Sequence, residues 1–356
     1  MDGVESVVYN YFKNMDREKF EIHIMYHNEP VKECENLFKE LECDLHKVTC
    51  KKENLWKAIK ETYKIMKDNQ IDIVHVHMSI MCFFYLIIAK IAGVKVRIAH
   101  SHLLEFPKGK MKNIVYEIYK KLNQWTANYY FACSEDAAKY VFQKKLPKVY
   151  IMKNAVNIEK FQYNEQIRKD LRKKFNIKDN EYVIGNIGRF TPQKNQDFII
   201  ELLRSIDLKK ECLKLLLIGT GPKEEEIKEK IKEYNMETNV LLLGQKNDIE
   251  KYYQVMDLFL FPSTYEGLGM VTIEAQISGL KCIVSDVVPK ETKITELIQY
   301  ITLQENKEVW IEHILRCKKQ SEIRYSHIKE AKDAGYDIKV EAKRLQNKYL
   351  EMIKER

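Results

Sequence analysis

The segment IDIVHVHMSIMCFFYLIIAKIAGVKVRIAHSH, residues 71–102, decides the fold class. IDIVHVH (71–77) has the length and β-branched content of a buried strand. SIMCFFYLIIAKIAG (79–93) is too long for a strand and reads as a helix that Gly93 stops. VKVRIAHSH (94–102) is the next strand. Strand, helix and strand in this order form a βαβ unit, with parallel strands and a right-handed crossover. Outward from it, YYFACS (129–134) and KVYIMKN (148–154) read as further strands, with a helix over 135–143. The charged stretch 158–181 interrupts the rhythm and reads as a link between domains. Strands then recur at 182–188, 213–219, 239–244, 257–263 and 282–286, separated by helices at 195–206, 223–234, 248–256 and 269–279. Two such blocks predict an α/β chain of two Rossmann-like, doubly wound domains, 1–160 and 161–330, followed by a C-terminal part, 331–356. That last part is an amphipathic helix with Ile338, Ala342, Leu345, Tyr349 and Ile353 near one face. Ligands of such sheets bind beyond the carboxyl ends of the strands, which here predicts a site in a cleft between the domains.

Composition narrows the class. Hydrophobic residues make up 45% of the 356, enough for two cores, and 12 Gly and 7 Pro are too few for a low-complexity chain. The start lacks a basic segment followed by an apolar run, so no signal peptide is expected. The most apolar stretch, 78–89, is broken at Lys90, short of the roughly 18 residues of a membrane span. The eight cysteines contain no C-x-x-C pair and several lie beside apolar runs, which predicts free thiols and a cytoplasmic location. His75/His77 and His100/His102 are two H-x-H pairs, each on one face of a strand. A third metal ligand is not evident, so no metal is expected. The net charge is +8, and residues 81–153 alone hold 13 Lys+Arg against 4 Asp+Glu. That excess is either a solvated surface or an attraction for anionic lipid or a phosphate-bearing substrate. Zinc-finger spacing and RNA-binding aromatic signatures are lacking, so no nucleic-acid partner is expected.

Two segments carry chemistry. In YEGLGMVTIEAQISG (265–279), Glu266 falls in the loop after a strand and Gly267 and Gly269 permit close backbone approach. The first N–H groups of the following helix, near Leu268, Gly269 and Met270, make an anion site, and Glu274 lies further along that helix. In NIGRFTPQKNQDF (186–198), a strand ends at Gly188, and Arg189 and Lys194 follow. Arginine offers a planar fork for phosphate and lysine a compact charge. A diphosphate leaving group needs such charge as its bond breaks. Surface cations and a capped helix are the plainer readings of each segment alone.

These residues resemble the retaining family 4 of GT-B glycosyltransferases, in particular bacterial capsular and exopolysaccharide enzymes. GRFTPQKN (188–195) and FPSTYEGLGMVTIEAQISGLKCIVSD (261–286) match its donor-site motifs. GVESVV (3–8), HVH (75–77), AHSH (99–102), ACSEDAA (132–138), IMKNAVNIEKF (151–161) and AGYDI (334–338) are similar to weaker segments across nearly the whole chain. The resemblance implies an acceptor-side N-terminal domain, a nucleotide-sugar-binding C-terminal domain, and a last helix that crosses back. It implies that Arg189 and Lys194 bind the donor diphosphate, Glu266 the donor sugar and Glu274 the ribose, with the amides of Leu268, Gly269 and Met270 on the diphosphate. Gly3 would belong to a glycine-rich first loop beside the donor, and His102 would be the catalytic histidine, with His100 structural. The implied reaction moves a hexosyl or N-acetylhexosaminyl group, UDP-linked, to a glycan or lipid-linked acceptor with retention, by attack on the same face. The chain has no D-x-D triplet, and no metal or other cofactor is implied.

Four features depart from that picture, compete with it or add to it. The sequence opens at the loop itself, MDGVESVV, so the first strand of the N-terminal sheet is expected to be missing, and Gly-Met stands at 269–270 where relatives often carry Pro-Val. A truncated, non-catalytic sugar-nucleotide-binding protein is therefore the alternative. A dehydrogenase fits poorly, since GTGPKE (219–224) puts Glu224 where a dinucleotide fingerprint needs its third glycine. Finally, FPKGKMKNIVYEIYKKLNQWTAN (106–128) combines Phe106, Met111, Tyr119 and Trp125 with Lys108, Lys110, Lys112, Lys120 and Lys121. Its Ile114, Ile118, Leu122 and Trp125 share a helix face that either packs on the sheet or meets the anionic inner membrane as a peripheral contact.

Overall fold

A computed structural model describes residues 3–27, 32–102, 110–320 and 323–356. The chain divides into two compact units, Met1–Val156 with Gly335–Arg356, and Asn157–Ala334. In the first, the order is α1 (Gly3–Lys13), β1 (His23–Tyr26), α2 (Lys32–Glu40), β2 (Asp44–Lys47), α3 (Leu55–Asp68) and β3 (Ile73–Val76). It continues with α4 (Cys82–Ala92), β4 (Val96–Ser101), α5 (Lys110–Thr126), β5 (Tyr129–Ala132), α6 (Glu135–Phe142) and β6 (Val149–Ile151). The strands β3-β4-β5-β6 form one parallel sheet, and β1-β2 a separate parallel pair.

The second unit runs through α7 (Glu165–Lys174), β7 (Tyr182–Ile187), α8 (Gln196–Arg204), β8 (Leu213–Ile218), α9 (Glu224–Glu233) and β9 (Val240–Leu242). Then follow α10 (Ile249–Val255), β10 (Leu258–Phe261), α11 (Met270–Ile277), β11 (Lys281–Ser285), β12 (Ile298–Ile301), α12 (Lys307–Lys319) and α13 (Ile328–Asp333). Its six strands are parallel, in the order β12-β11-β10-β7-β8-β9. The chain winds outward from β7 in one direction, returns to β10 and winds outward in the other. β7 and β10, paired at Leu258 and Ile184, are thus the switch point of a doubly wound sheet. Every residue of β7 and β10 is buried, as expected for strands covered by helices on both faces.

The last helix, α14 (Ile338–Lys354), belongs to the first unit. Its Ile338, Ala342, Leu345, Tyr349 and Met352 pack with Val7 and Tyr11 of α1 and with Ile98 and Phe131 of the sheet. That packing explains a departure from expectation at the start. The segment from Gly3 is a helix rather than a glycine-rich loop, because Val7 and Tyr11, one turn apart, share the face that α14 covers.

Two further expectations change. The stretch 158–181 is not a link: α7 within it packs on α10. Arg168 and Arg172 of α7 both reach Asp257, at 2.6 and 3.3 Å, and Asp257 also accepts from the Val183 amide at 2.7 Å. One carboxylate therefore ties a helix to the starts of both central strands. The strand at 282–286 is not the last, since β12 adds to the sheet edge beside it.

Candidate functional site

The two motif loops leave the carboxyl ends of adjacent strands. Gly188 to Asn195 follows β7, and Pro262 to Gly269 follows β10. Several hydrogen bonds lace them together. Thr264 donates its amide to the Gln193 carbonyl at 2.8 Å, and Gln193 Nε2 donates to the Tyr265 carbonyl at 2.9 Å. Asn195 Nδ2 donates to the Pro262 carbonyl at 3.1 Å, and Asn186 Nδ2 to the Leu260 carbonyl at 2.8 Å. This lacing brings Lys194 and Glu266 together: Nζ lies 2.7 Å from Oε1, and the ammonium also sits 4.8 Å from the Phe261 ring centre. The carboxylate side chain is 5% exposed and the lysine 19%, so the pair is nearly dry. Arg189 is on the same loop with its side chain in solvent.

Gly269 precedes α11 with φ of +84°, a conformation that strains other residues, and so turns the loop into the helix. The first N–H groups of α11, from Met270 on, have no acceptor within the helix. They carry the positive end of its dipole, while Leu268 is buried beneath the loop. The GTG of 219–221 also finds its reason here. A Cβ on Gly219 would stand 2.1 Å from the Gly188 carbonyl oxygen, so this glycine lets β8 crowd the Arg189 loop.

Glu274 is on α11, but its side chain does not join the Lys194–Glu266 pair. It is buried and accepts a hydrogen bond from the Tyr253 hydroxyl at 2.7 Å. Burial pushes the carboxyl up to about 7, against the Tyr253 bond, which favours the charged form. Tyr253 was not singled out in the sequence; nothing in the local pattern of α10 marks it.

The other candidate cluster lies in the N-terminal unit, at the carboxyl ends of β3 and β4. The two H-x-H pairs lie on neighbouring parallel strands and face each other. His75 Nε2 and His100 Nδ1 are 2.9 Å apart, and His77 Nδ1 and His102 Nε2 are 2.8 Å apart. Tyr349 of α14 closes the row at 2.6 Å from His75 Nδ1. The rings stack with centres 4.0–5.1 Å apart. Burial pushes His75 down to about 3 and His102 to about 4, and holds His77 and His100 well below the usual imidazole range. All four are neutral at pH 7. The expectation that no third metal ligand accompanies an H-x-H pair does not hold, since His75, His77 and His100 bring one nitrogen each within 4.8 Å of one another. Of these three rings, His75 uses both nitrogens in the hydrogen bonds just described, and His77 and His100 each use Nδ1 there. His100 is fully buried with Nε2 unpartnered, and His102, at the strand end, donates its amide upward to no strand but to Ser79 Oγ at 3.1 Å. Gly3 is the first residue of α1, in this same unit. The segment 103–109, with Phe106 and Lys108, lies outside the described residues.

A lysine–glutamate pair beside a helix N-terminus, at the switch point of a doubly wound sheet, defines an α/β protein with a candidate anion-binding site there. Comparison with known proteins gives the family. Residues 167–334 match the family described as Glycosyl transferases group 1, and residues 1–160 that described as Glycosyltransferase Family 4. EpsF of Bacillus subtilis (strain 168) is 28% identical over 98% of this chain and 93% of its own. The Escherichia coli UDP-Gal:alpha-D-GlcNAc-diphosphoundecaprenol alpha-1,3-galactosyltransferase is 29% identical over 81% of this chain and 77% of its own. The crystal structure of Anabaena HepE in complex with UDP superposes with a TM-score of 0.82 at 16% identity, covering 98% of this chain and 96% of that one. The chain belongs to the family 4 glycosyltransferases of GT-B fold.

Proposed function

We propose that this glycosyltransferase moves a hexosyl or N-acetylhexosaminyl group from a UDP-linked donor to a glycan or lipid-linked acceptor, with retention, in surface polysaccharide synthesis. One observation carries the reading: Lys194 and Glu266 meet at 2.7 Å where β7 and β10 release their loops, beside the α11 N-terminus. A donor that brings two phosphates there takes over the lysine. Glu266 is then released to accept hydrogen bonds from sugar hydroxyls. Arg189, Lys194 and the amides of Leu268, Gly269 and Met270 together meet the charge that develops on the leaving diphosphate. That set needs no metal, and activity is expected to survive a chelator. Glu274 holds the ribose, His102 serves the acceptor side, and same-face attack lets a diphosphate oxygen take the acceptor proton.

The relatives' names support the donor and acceptor classes. The E. coli relative is named for UDP-Gal and a diphosphoundecaprenol acceptor, and HepE is described in complex with UDP-glucose. The test is direct. The purified chain is incubated with UDP-glucose, UDP-galactose and UDP-N-acetylglucosamine and a polyprenyl-diphosphate sugar, with and without chelator. UDP release with formation of an α-linked product is expected from one of them. Loss of UDP binding as well as turnover across the panel overturns the reading.

A further inference from the structure

Three neighbouring helices of the N-terminal unit keep apolar side chains in solvent. α4 packs against α3 on one side and α5 on the other. On α3, Trp56 is 80% exposed, and Tyr63 lies on the same stripe two turns on. An open groove of about 430 Å³ runs between α3 and α4, lined by Trp56, Ile59, Lys60, Tyr63, Ile88 and Ile91. Ile91 at its edge is 69% exposed. On α5, Ile114, Ile118, Lys121 and Trp125 follow the helical period and share one stripe. Ile114 and Trp125 are each 63% exposed and Ile118 is 50% exposed. The reading in which this face packs on the sheet is therefore overturned for these three; Leu122 alone of the four is partly buried. Lys90 of α4 stands 4.1 Å from the Trp125 ring centre and joins the two stripes. Single exposed apolar residues are ordinary, whereas a strip across three helices marks an interaction surface.

The charge around the strip selects its partner. α3 and α4 together carry five lysines against two acidic residues, whereas the whole chain holds 60 basic and 52 acidic residues. Lys57, Lys60, Lys64, Lys67, Lys90 and Lys121 are all exposed. A second copy would present the same lysines across a two-fold interface, so like charges would meet. Aromatic and aliphatic tips ringed by lysine suit a surface that is apolar beneath and anionic above. We propose that this strip docks the chain on an anionic phospholipid bilayer. Trp56, Tyr63, Ile91, Ile114, Ile118 and Trp125 enter the headgroup region while the lysines stay among the phosphates. Among the described residues no helix is long and apolar enough to cross a membrane, so the attachment is peripheral. The surface stands on these exposed residues and goes beyond the sugar-transfer reading.

The chain's three tryptophans provide the test, because Trp310 is fully buried in the other unit and reports no contact. The full chain is mixed with phosphatidylcholine vesicles and with vesicles that also contain phosphatidylglycerol, both with brominated acyl chains. Quenching and a blue shift of Trp56 and Trp125 are expected only with the anionic vesicles, and high salt is expected to reverse them. The triple change Lys57→Glu, Lys60→Glu and Lys90→Glu is expected to lower partitioning on the order of a hundredfold. Trp56→Ala with Trp125→Ala is expected to weaken it with the salt dependence retained. UDP binding is expected unchanged in both variants, which separates failure here from failure of the sugar-transfer reading. Equal binding to both vesicles, or none to either, overturns the proposal. Dimers without lipid that the same lysine changes abolish would assign the face to a second copy and also overturn it.

Discussion

In the C-terminal unit the polar side chains around the central strands meet as ions, Lys194 with Glu266 and Arg168 and Arg172 with Asp257. In the N-terminal unit they meet as neutral rings, four imidazoles and the Tyr349 hydroxyl, with no carboxylate among their hydrogen-bond partners in the described residues. The Lys194–Glu266 pair and the histidine row each sit where a parallel sheet releases its loops, the Asp257 cluster sits at the opposite strand ends, and all are largely removed from water. The difference lies in what each costs and what each can exchange. A buried ion pair holds its charges only for each other, so removing one partner strands the other. A neutral histidine row costs little while uncharged and can pass or accept a proton at its end. The first arrangement suits a site that trades one anion for another, the second a site where a hydroxyl loses a proton.

The strongest way to break this comparison is to strand an ion. Asp257→Ala removes the carboxylate that Arg168 and Arg172 share, leaving both charges on backbone carbonyls such as that of Val255, and takes the side-chain acceptor from the Val183 amide. A loss of about 3–5 kcal/mol of stability is expected, measured by urea unfolding of the whole chain. A loss below about 1 kcal/mol would show that water replaces the carboxylate and that the α7 contact is surface-like. Next in size, Lys194→Ala is expected to cost roughly 2–4 kcal/mol in kcat/KM for transfer. Lys194→Arg, which keeps the charge in a wider group, is expected to recover part of it. Near-normal turnover in the alanine variant would remove Lys194 from the diphosphate.

The order of these effects also reflects what the amino-acid sequence discloses. Lys194, Glu266 and Arg189 were legible because each follows a continuous apolar run that reads as a buried strand, and loops after such strands are where ligands sit. The partners were not. Tyr253 meets Glu274 from a different helix 21 residues away, and Tyr349 meets His75 across 274 residues, contacts set by packing rather than spacing. β1 and β2 escaped because HIMY and DLHK are short, polar at intervals and only partly buried. β12 escaped because IQYI follows a polar turn and has one neighbour only. The helix at Gly3 was hidden by a family likeness that pointed to a loop, although Val7 and Tyr11 have helical spacing.

A third, smaller effect separates the two clusters by sign. The histidines have folded-state values below the unfolded value of about 6.5, so the unfolded chain binds more protons once pH drops past it. Their contribution is present above about pH 6.5 and is lost as pH falls, by up to about 1.4 kcal/mol per pH unit for each ring that must charge. Glu274 acts in reverse: its value is raised, the folded chain binds more protons, and stability declines as pH rises from about 4.5 through 7. Replacing His77 and His102 by Asn is expected to flatten the acid limb of a stability–pH curve, and Glu274→Gln the limb between pH 5 and 7. If neither limb changes, the clusters are solvated and the contrast between them fails.

The smallest effect sharpens the comparison inside the C-terminal unit, where Glu274, unlike Glu266, has no cation beside it among the described residues. Its hydrogen bond comes from the Tyr253 hydroxyl, which also lies 3.1 Å from the Val271 carbonyl and is fully buried. Donation to the carboxylate favours the charged form, while burial favours the neutral one and prevails, leaving Glu274 near 7. Tyr253→Phe removes the donor without opening a cavity, at a stability cost of about 0.5–1.5 kcal/mol. With that bond gone, Glu274 is expected to stay protonated to higher pH. If the ribose hydroxyls donate to its carboxylate, donor KM at pH 7 is expected to rise several-fold with kcat little changed, since the bond is made in ground and transition states alike. The defect is then expected to shrink by pH 8.5, where Glu274 ionises again, and the pH profile of kcat/KM to move upward by a fraction of a unit. A defect of constant size across that range would make Tyr253 a packing residue only, and would leave the donor end of this enzyme wholly in the charge of Lys194, Glu266 and Arg189.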